Sequence, residues 1–162
     1  MQAGKHGEIA MAQDANGSWI LTVDKFTFRF PKDLLYCETG LWIRREGNLF
    51  RLGLSDYAQQ RSGDIAFVNL MPPGAVLEID DEVASIETVK VNISLPSPVK
   101  GKILEINSDL QESPEWINQD PYGRGWMVEI EAEDPNRPLK GALDAQSYLN
   151  LARQQAEMEM KP

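Results

Sequence analysis

Histidine and cysteine are almost missing from this chain, which has one of each in 162 residues, His6 and Cys37. A lone histidine excludes Ser-His-Asp and Cys-His nucleophilic catalysis and the usual His-rich zinc or iron sites, because each needs further imidazole or thiolate partners. His6 itself stands in a Gly-rich start between Gly4 and Gly7, where chain ends are commonly poorly ordered, and reads as solvated and idle. A lone cysteine cannot form an internal disulfide, which fits a reducing cytoplasm. Basic residues are scarce too: 16 Lys+Arg stand against 25 Asp+Glu, a net charge of -9. A nucleic-acid binder needs a basic face to neutralise phosphates, and no Lys/Arg cluster is longer than Arg44-Arg45, so neither nucleic acid nor an anionic membrane is an expected partner. No apolar run approaches the roughly 18 residues of a membrane span, and the N-terminus lacks the basic-then-apolar order of a secretion signal. Among the acids no pair stands out for acid/base work, and most read as solvated surface.

What is present suits one globular domain, long enough to bury a core without disulfides or a structural metal. Residues 1 to 13 read as a weak lead-in. Asn16-Gly17 then carries the signal of a two-residue hairpin turn, followed by a strand-like Ser18–Val23 and a second strand in which Phe26, Phe28 and Phe30 alternate with Thr27 and Arg29. That alternation predicts three rings on one buried sheet face. Gly47-Asn48 predicts another tight hairpin, between Leu41–Glu46 and Leu49–Leu54. Ser55 is placed as the N-cap of a short helix that Gly63 stops. Strands resume at Ile65–Leu70 and break at Pro72-Pro73-Gly74. Ser113-Pro114-Glu115 fits an N-cap with proline at the first helical position. Ala145, Tyr148, Leu149, Ala152 and Ala156 recur at helical spacing and predict a closing amphipathic helix, with a tail that frays over residues 158–162.

A short self-similarity is more informative. Gly74-Ala75-Val76-Leu77-Glu78-Ile79-Asp80-Asp81-Glu82-Val83 recurs as Gly101-Lys102-Ile103-Leu104-Glu105-Ile106-Asn107-Ser108-Asp109-Leu110, with the Gly, Leu, Glu and Ile identical and the remaining pairs mostly similar in character. Two units are too few for a solenoid, so the repeat predicts two β-rich halves facing each other across a pseudo-two-fold sandwich. The chain must then reverse between them, at Val89-Lys90-Val91-Asn92. A lysine at such a tip projects from the sheet and offers an amine to a modifying enzyme.

Here the sequence resembles the glycine cleavage H-proteins, which carry covalent lipoate. Their Glu-Ser-Val-Lys motif is matched by Glu87-Thr88-Val89-Lys90, followed by Ser97-Pro98-Val99-Lys100-Gly101. Leu54-Ser55-Asp56-Tyr57-Ala58-Gln59 and Gly63-Asp64-Ile65-Ala66-Phe67-Val68 are similar to two upstream family segments. Asn118-Gln119-Asp120-Pro121-Tyr122-Gly123-Arg124-Gly125-Trp126 is similar to a downstream one. The likeness runs from about Tyr36 to Leu151. It implies a mainly β, lipoyl-domain-like barrel-sandwich hybrid: a pair of antiparallel sheets with short helices and a C-terminal helix. It divides the chain into an extension over residues 1–33, expected as a β-hairpin packed on the core, a carrier domain over 34–157, and the tail.

The resemblance implies a carrier and not an enzyme, with lipoate on Lys90 and with Glu87 recognised by the lipoylating enzyme. Its implied partners are a lipoate ligase or lipoyl transferase, then glycine decarboxylase, aminomethyltransferase and dihydrolipoamide dehydrogenase. The family's Tyr-x-x-x-His-Glu-Trp signature survives only at Tyr36 and Trp42, with Gly40 and Leu41 in place of histidine and glutamate. Ser94 replaces an acidic residue four places after the lysine. Both departures are expected to weaken a site for the ammonium of an aminomethyl cargo. They leave open a second carrier reading, a lipoate-binding protein of bacterial sulfur oxidation working with a heterodisulfide-reductase-like complex. A biotinyl carrier fits less well, since its anchor sits between methionines whereas Lys90 sits between Val89 and Val91. An unmodified β-rich interaction module would need no special lysine.

Overall fold

The computed structural model describes residues 8–160, so His6 lies outside the described residues. Strands β1 (Ile9–Gln13), β2 (Ser18–Val23) and β3 (Phe26–Pro31) form an antiparallel sheet in that order. The expected lead-in is thus part strand, because every residue from Ile9 to Gln13 finds a partner on β2, Ile9 opposite Val23 and Gln13 opposite Trp19. The Asn16-Gly17 turn has three residues and not two. Asp14 N–H donates to the Ser18 carbonyl at 3.0 Å and Ser18 N–H donates back to the Asp14 carboxylate at 2.9 Å, leaving Ala15, Asn16 and Gly17 outside the ladder. Gly17 takes φ 81, the left-handed position that closes such a loop. Of the three alternating phenylalanines, Phe28 and Phe30 are buried, but Phe26, first on its strand, is 51% exposed.

After β4 (Leu35–Cys37), strands β5 (Leu41–Glu46) and β6 (Leu49–Leu54) are joined by a two-residue turn that sets Glu46 opposite Leu49, with Gly47 at φ 63. Helix α1 (Asp56–Ser62) starts where the Ser55 hydroxyl accepts the Ala58 N–H at 3.1 Å and stops at Gly63, φ 85. Next come β7 (Ile65–Leu70), β8 (Val76–Leu77), β9 (Glu82–Thr88), β10 (Asn92–Pro96) and β11 (Gly101–Ile106). A 3-10 turn, α2 (Trp116–Gln119), β12 (Val128–Ala132), β13 (Ala142–Leu143) and α3 (Ala145–Glu159) complete the chain. Ser113 does not cap α2. Its carbonyl accepts the Trp116 N–H at 3.2 Å and that of Pro114 accepts Ile117 N–H at 3.1 Å, so tight i to i+3 turns precede a helix with no side-chain cap.

Strands β10-β9-β7 form a second three-stranded sheet, and β13-β4-β5-β6-β12-β11-β8 form a seven-stranded one. These two enclose the main core, in which Ile43, Leu52, Ile86, Leu95, Ile103 and Ile130 are all buried. The repeat copies do not face each other across it. They lie side by side in the seven-stranded sheet, Val76 opposite Lys102 and Leu77 opposite Gly101. The first copy is cut short because Asp80, at φ 76, turns the chain toward the other sheet, with its N–H donating to the Ser97 carbonyl at 2.8 Å.

A second core joins the N-terminal sheet to the outer face of β4 and β5, where Leu21, Phe28 and Phe30 meet Tyr36, Tyr57 and Tyr148. The five α3 residues predicted from helical spacing are the five that are buried. The tail does not fray from residue 158: α3 is helical to Glu159, whose carboxylate accepts two hydrogen bonds from Arg61, at 2.6 and 3.1 Å. Residues 161–162 lie outside the described residues.

Candidate functional site

Strands β9 and β10 are joined by Val89, Lys90 and Val91, and Asn92 pairs with Glu87. Thr88 holds this tip twice over. Its N–H donates to the Val91 carbonyl at 2.9 Å, and its hydroxyl accepts the N–H groups of both Lys90 and Val91 at 3.1 Å. A short polar side chain bonding to the backbone beyond it favours a turn. Val89, 98% exposed, takes the outermost place. Lys90 is exposed and its ammonium reaches the Arg61 carbonyl at the end of α1, 3.5 Å away. Gly63 faces the lysine stem, and a Cβ there would stand 3.8 Å from Lys90 Cε.

The corner between α1 and β7 is clamped from below by Asn118. Its amide donates to the Gly63 carbonyl at 3.0 Å and to Gln59 at 2.9 Å, while its oxygen accepts Ile65 N–H at 2.9 Å. Glu87 lies half-buried on the central strand of the small sheet, flanked by Asn92 and by Phe67, which is 64% exposed.

Beside the tip runs a groove of about 280 Å³, walled by Val91 of the tip, Ile93 of β10, Ala58, Arg61 and Ser62 of α1, Tyr148 and Gln155 of α3, and Glu38, Thr39 and Gly40. Burial pushes the Tyr148 phenol up to about 12, and its oxygen lies 2.9 Å from the buried Ser55 hydroxyl, so it stays neutral. The Arg61 guanidinium is held charged by its hydrogen bond to Glu159. The groove offers walls for a chain to lie against.

Comparison with known proteins decides the family. A sequence model described as glycine cleavage H-protein matches residues 34–155. The glycine cleavage system H protein of Oceanobacillus iheyensis is 43% identical over 118 residues, covering 73% of this chain and 93% of the relative. That of Pseudoalteromonas atlantica is 42% identical over 121 residues, covering 74% and 93%. The crystal structure of a glycine cleavage system H protein from Mycobacterium marinum superposes with TM-score 0.69 at 26% identity, over 75% of this chain and 97% of that one. The chain belongs to the glycine cleavage H-protein family. Membership makes it a non-catalytic lipoyl carrier, and the fold expected from the resemblance is the fold observed.

Several residues that carry the H-protein resemblance turn out to be scaffold. Pro121 accepts the Trp42 indole N–H at 2.8 Å, and Trp42 in turn lies flat over Gly53, where any Cβ would come within 2.5 Å of the ring. The Tyr122 hydroxyl donates to the Arg29 carbonyl at 2.6 Å and accepts Asp56 N–H at 3.0 Å.

Of the three positions that depart from the H-protein pattern, Leu41 and Ser94 do not face the groove. Leu41 is 1% exposed inside the main core, and Ser94 is on the outer face of β10, donating to Glu82 at 2.6 Å. Gly40 does line the groove, at φ 114, and a Cβ there would stand 2.8 Å from Ala58 Cβ. The groove's carboxylate is Glu38, which had no signal in the sequence beyond lying two residues after Tyr36.

Proposed function

We propose that Lys90 carries lipoate and that this chain shuttles a lipoate-bound aminomethyl group within the glycine cleavage system. The observation that carries the reading is an exposed lysine at the tip of a hydroxyl-braced hairpin, directly beside a groove of about 280 Å³. The residues fit the group. An amide at Lys90 Nζ leaves the tip unobstructed, and Val91, Ile93 and Ala58 give a flexible acyl chain apolar wall to rest on. Bound lipoate would supply the disulfide and dithiol chemistry, and the protein its position. Arg61 receives the lysine on its carbonyl, Gly63 leaves room for the stem, and Thr88 fixes where the stem begins.

Glu87, half-buried and beside exposed Phe67, forms with Val89 the surface that a lipoate ligase or lipoyl transferase would read. The later partners are glycine decarboxylase, aminomethyltransferase and dihydrolipoamide dehydrogenase, and the compartment the cytoplasm. Among the described residues no helix is long and apolar enough to cross a membrane. The sulfur-oxidation alternative rested on positions 41 and 94, neither of which lines the groove, and the relatives reported above lend it no support.

Tandem mass spectrometry of the Lys90 peptide, after incubation with lipoate and a competent ligase, tests the proposal. Full lipoylation at Lys90, abolished by Lys90→Arg with unfolding unchanged, is the expected result. An unmodified peptide beside a fully lipoylated control carrier overturns it.

A further inference from the structure

The N-terminal sheet precedes the family match at residues 34–155, and among the described residues no strand pairs with its β1 edge. Among the described residues β1 pairs with β2 alone. The phase of that ladder fixes which backbone groups are free. Asp24 N–H donates to the Glu8 carbonyl at 2.9 Å and Asp14 N–H to the Ser18 carbonyl at 3.0 Å, so the even-numbered residues bond inward. Antiparallel ladders alternate, so the N–H and C=O of Ile9, Met11 and Gln13 all point outward. Edge strands are normally blunted by charge, proline or a bulge. Ile9-Ala10-Met11-Ala12-Gln13 has no charged residue and no proline, pairs with β2 without a register shift, and leaves Met11 51% exposed.

We infer that β1 is a self-association edge, and that its occupant is β1 of a second copy of this chain, antiparallel about a two-fold axis through Met11. The sequence is symmetric where the axis requires it. Ala10 and Ala12 flank Met11, so each alanine of one copy faces the other alanine of the second, and no bulky or charged pair is forced together. In this register Met11 faces Met11, and Ile9 faces Gln13 in both directions. All the outward groups of both strands are then paired, and no other register with the same phase uses all three residues. The two N-terminal sheets become one continuous sheet, and the Met11 side chains, which share a sheet face with Leu21, cover each other across the axis. Beyond the strand ends, Glu8 of each copy approaches Asp14 of the other. This repulsion makes the dimer tighten as salt is added, whereas a basic partner strand on the same edge would be released by salt.

Met11→Pro is the decisive variant. The Met11 N–H faces away from β2, so proline there leaves the internal ladder intact while deleting donors at the axis, as edge strands tolerate. Sedimentation velocity on the full chain over a wide concentration range should show wild type moving from monomer to dimer, more strongly in higher salt. Met11→Pro should stay monomeric, with dilute-solution thermal unfolding like that of wild type. If proline disturbs the sheet, Met11→Lys serves instead, since it sets like charges against each other at the axis and should weaken association about tenfold in low salt. A wild-type chain that is monomeric at every concentration overturns the inference, as does a dimer that survives both substitutions undiminished. Lipoylation plays no part in either readout.

Discussion

Thr88 shows how little separates a lysine from a presented lysine. Its hydroxyl accepts two backbone N–H groups at the hairpin tip, and both donors are close enough to solvent to find water if it is removed. Thr88→Val should therefore cost only about 0.5–1.5 kcal/mol of stability, the net worth of a typical hydrogen bond. Lipoylation should slow markedly, because the Lys90 stem no longer leaves from a fixed turn, and Thr88→Ser should restore it. The intact-mass time course of lipoate addition reads this out, and a Thr88→Val protein modified at the wild-type rate would show that the ligase needs no preformed tip. Leu41 is the opposite case. Family comparison alone invites Leu41→Glu as a repair, but the side chain is 1% exposed in the main core. A carboxylate there would lose its hydration without a partner, so urea unfolding should show a loss of roughly 3 kcal/mol or more.

Among the elements, α3 was the most legible in the sequence, since helical spacing alone singled out its buried face from Ala145 to Ala156. The Ser55 cap and the Gly47 turn were equally local and equally readable. β1 was not, because an uncharged, unalternating pentapeptide becomes a strand only through β2, and that pairing leaves no mark within residues 9–13. The candidate site divides the same way: Lys90 and its motif are contiguous, whereas the groove gathers residues from β10, α1, α3 and the turn before β5. The end of α3 also depends on another element. Arg61 holds the Glu159 carboxyl below its ordinary value through their hydrogen bond, so the folded state binds that proton less tightly than the unfolded chain. The contact thus stabilises fully above the ordinary carboxylate range and is lost as pH falls through the folded value. Both side chains are about half exposed, at 44% and 54%, so the gain is modest and weakened by salt. Glu159→Gln should unfold at lower temperature than wild type at neutral pH, and the gap should close in acid. A gap that persists at low pH would assign the effect to packing and not to charge.

For the molecule as a whole, the question is whether the segment ahead of the family match is an ornament or a wall. Leu21 and Phe30 are fully buried and Phe28 is 6% exposed, all against aromatic side chains of the carrier region. Phe28 meets Tyr57 edge-on at 5.1 Å, and Phe30 meets Tyr148 at 5.6 Å, while Tyr148 stacks on Tyr36 at 4.9 Å. Polar bonds follow the same seam, with Arg29 N–H donating to Asp56 at 2.9 Å and the Gln60 amide donating to the Thr27 carbonyl at 2.9 Å. Removing residues 1–30 would strip one side of that cluster and leave Tyr57 and Tyr148 facing water. Losing one buried phenylalanine typically costs about 3–5 kcal/mol, a large share of the roughly 5–15 kcal/mol that holds a domain folded. The truncated chain should unfold at a clearly lower urea midpoint. Lys90, however, is on the β10-β9-β7 sheet, which shares no strand with the N-terminal sheet, and its Thr88 brace and Asn118 clamp are untouched by the deletion. Below its lowered midpoint the truncated protein should therefore still accept lipoate at Lys90 at a rate close to that of the full chain. An unchanged midpoint would show that the buried rings contribute nothing net. Loss of lipoylation from a folded truncated protein would mean that the N-terminal sheet, acting through α1 and Arg61, helps to present the lysine.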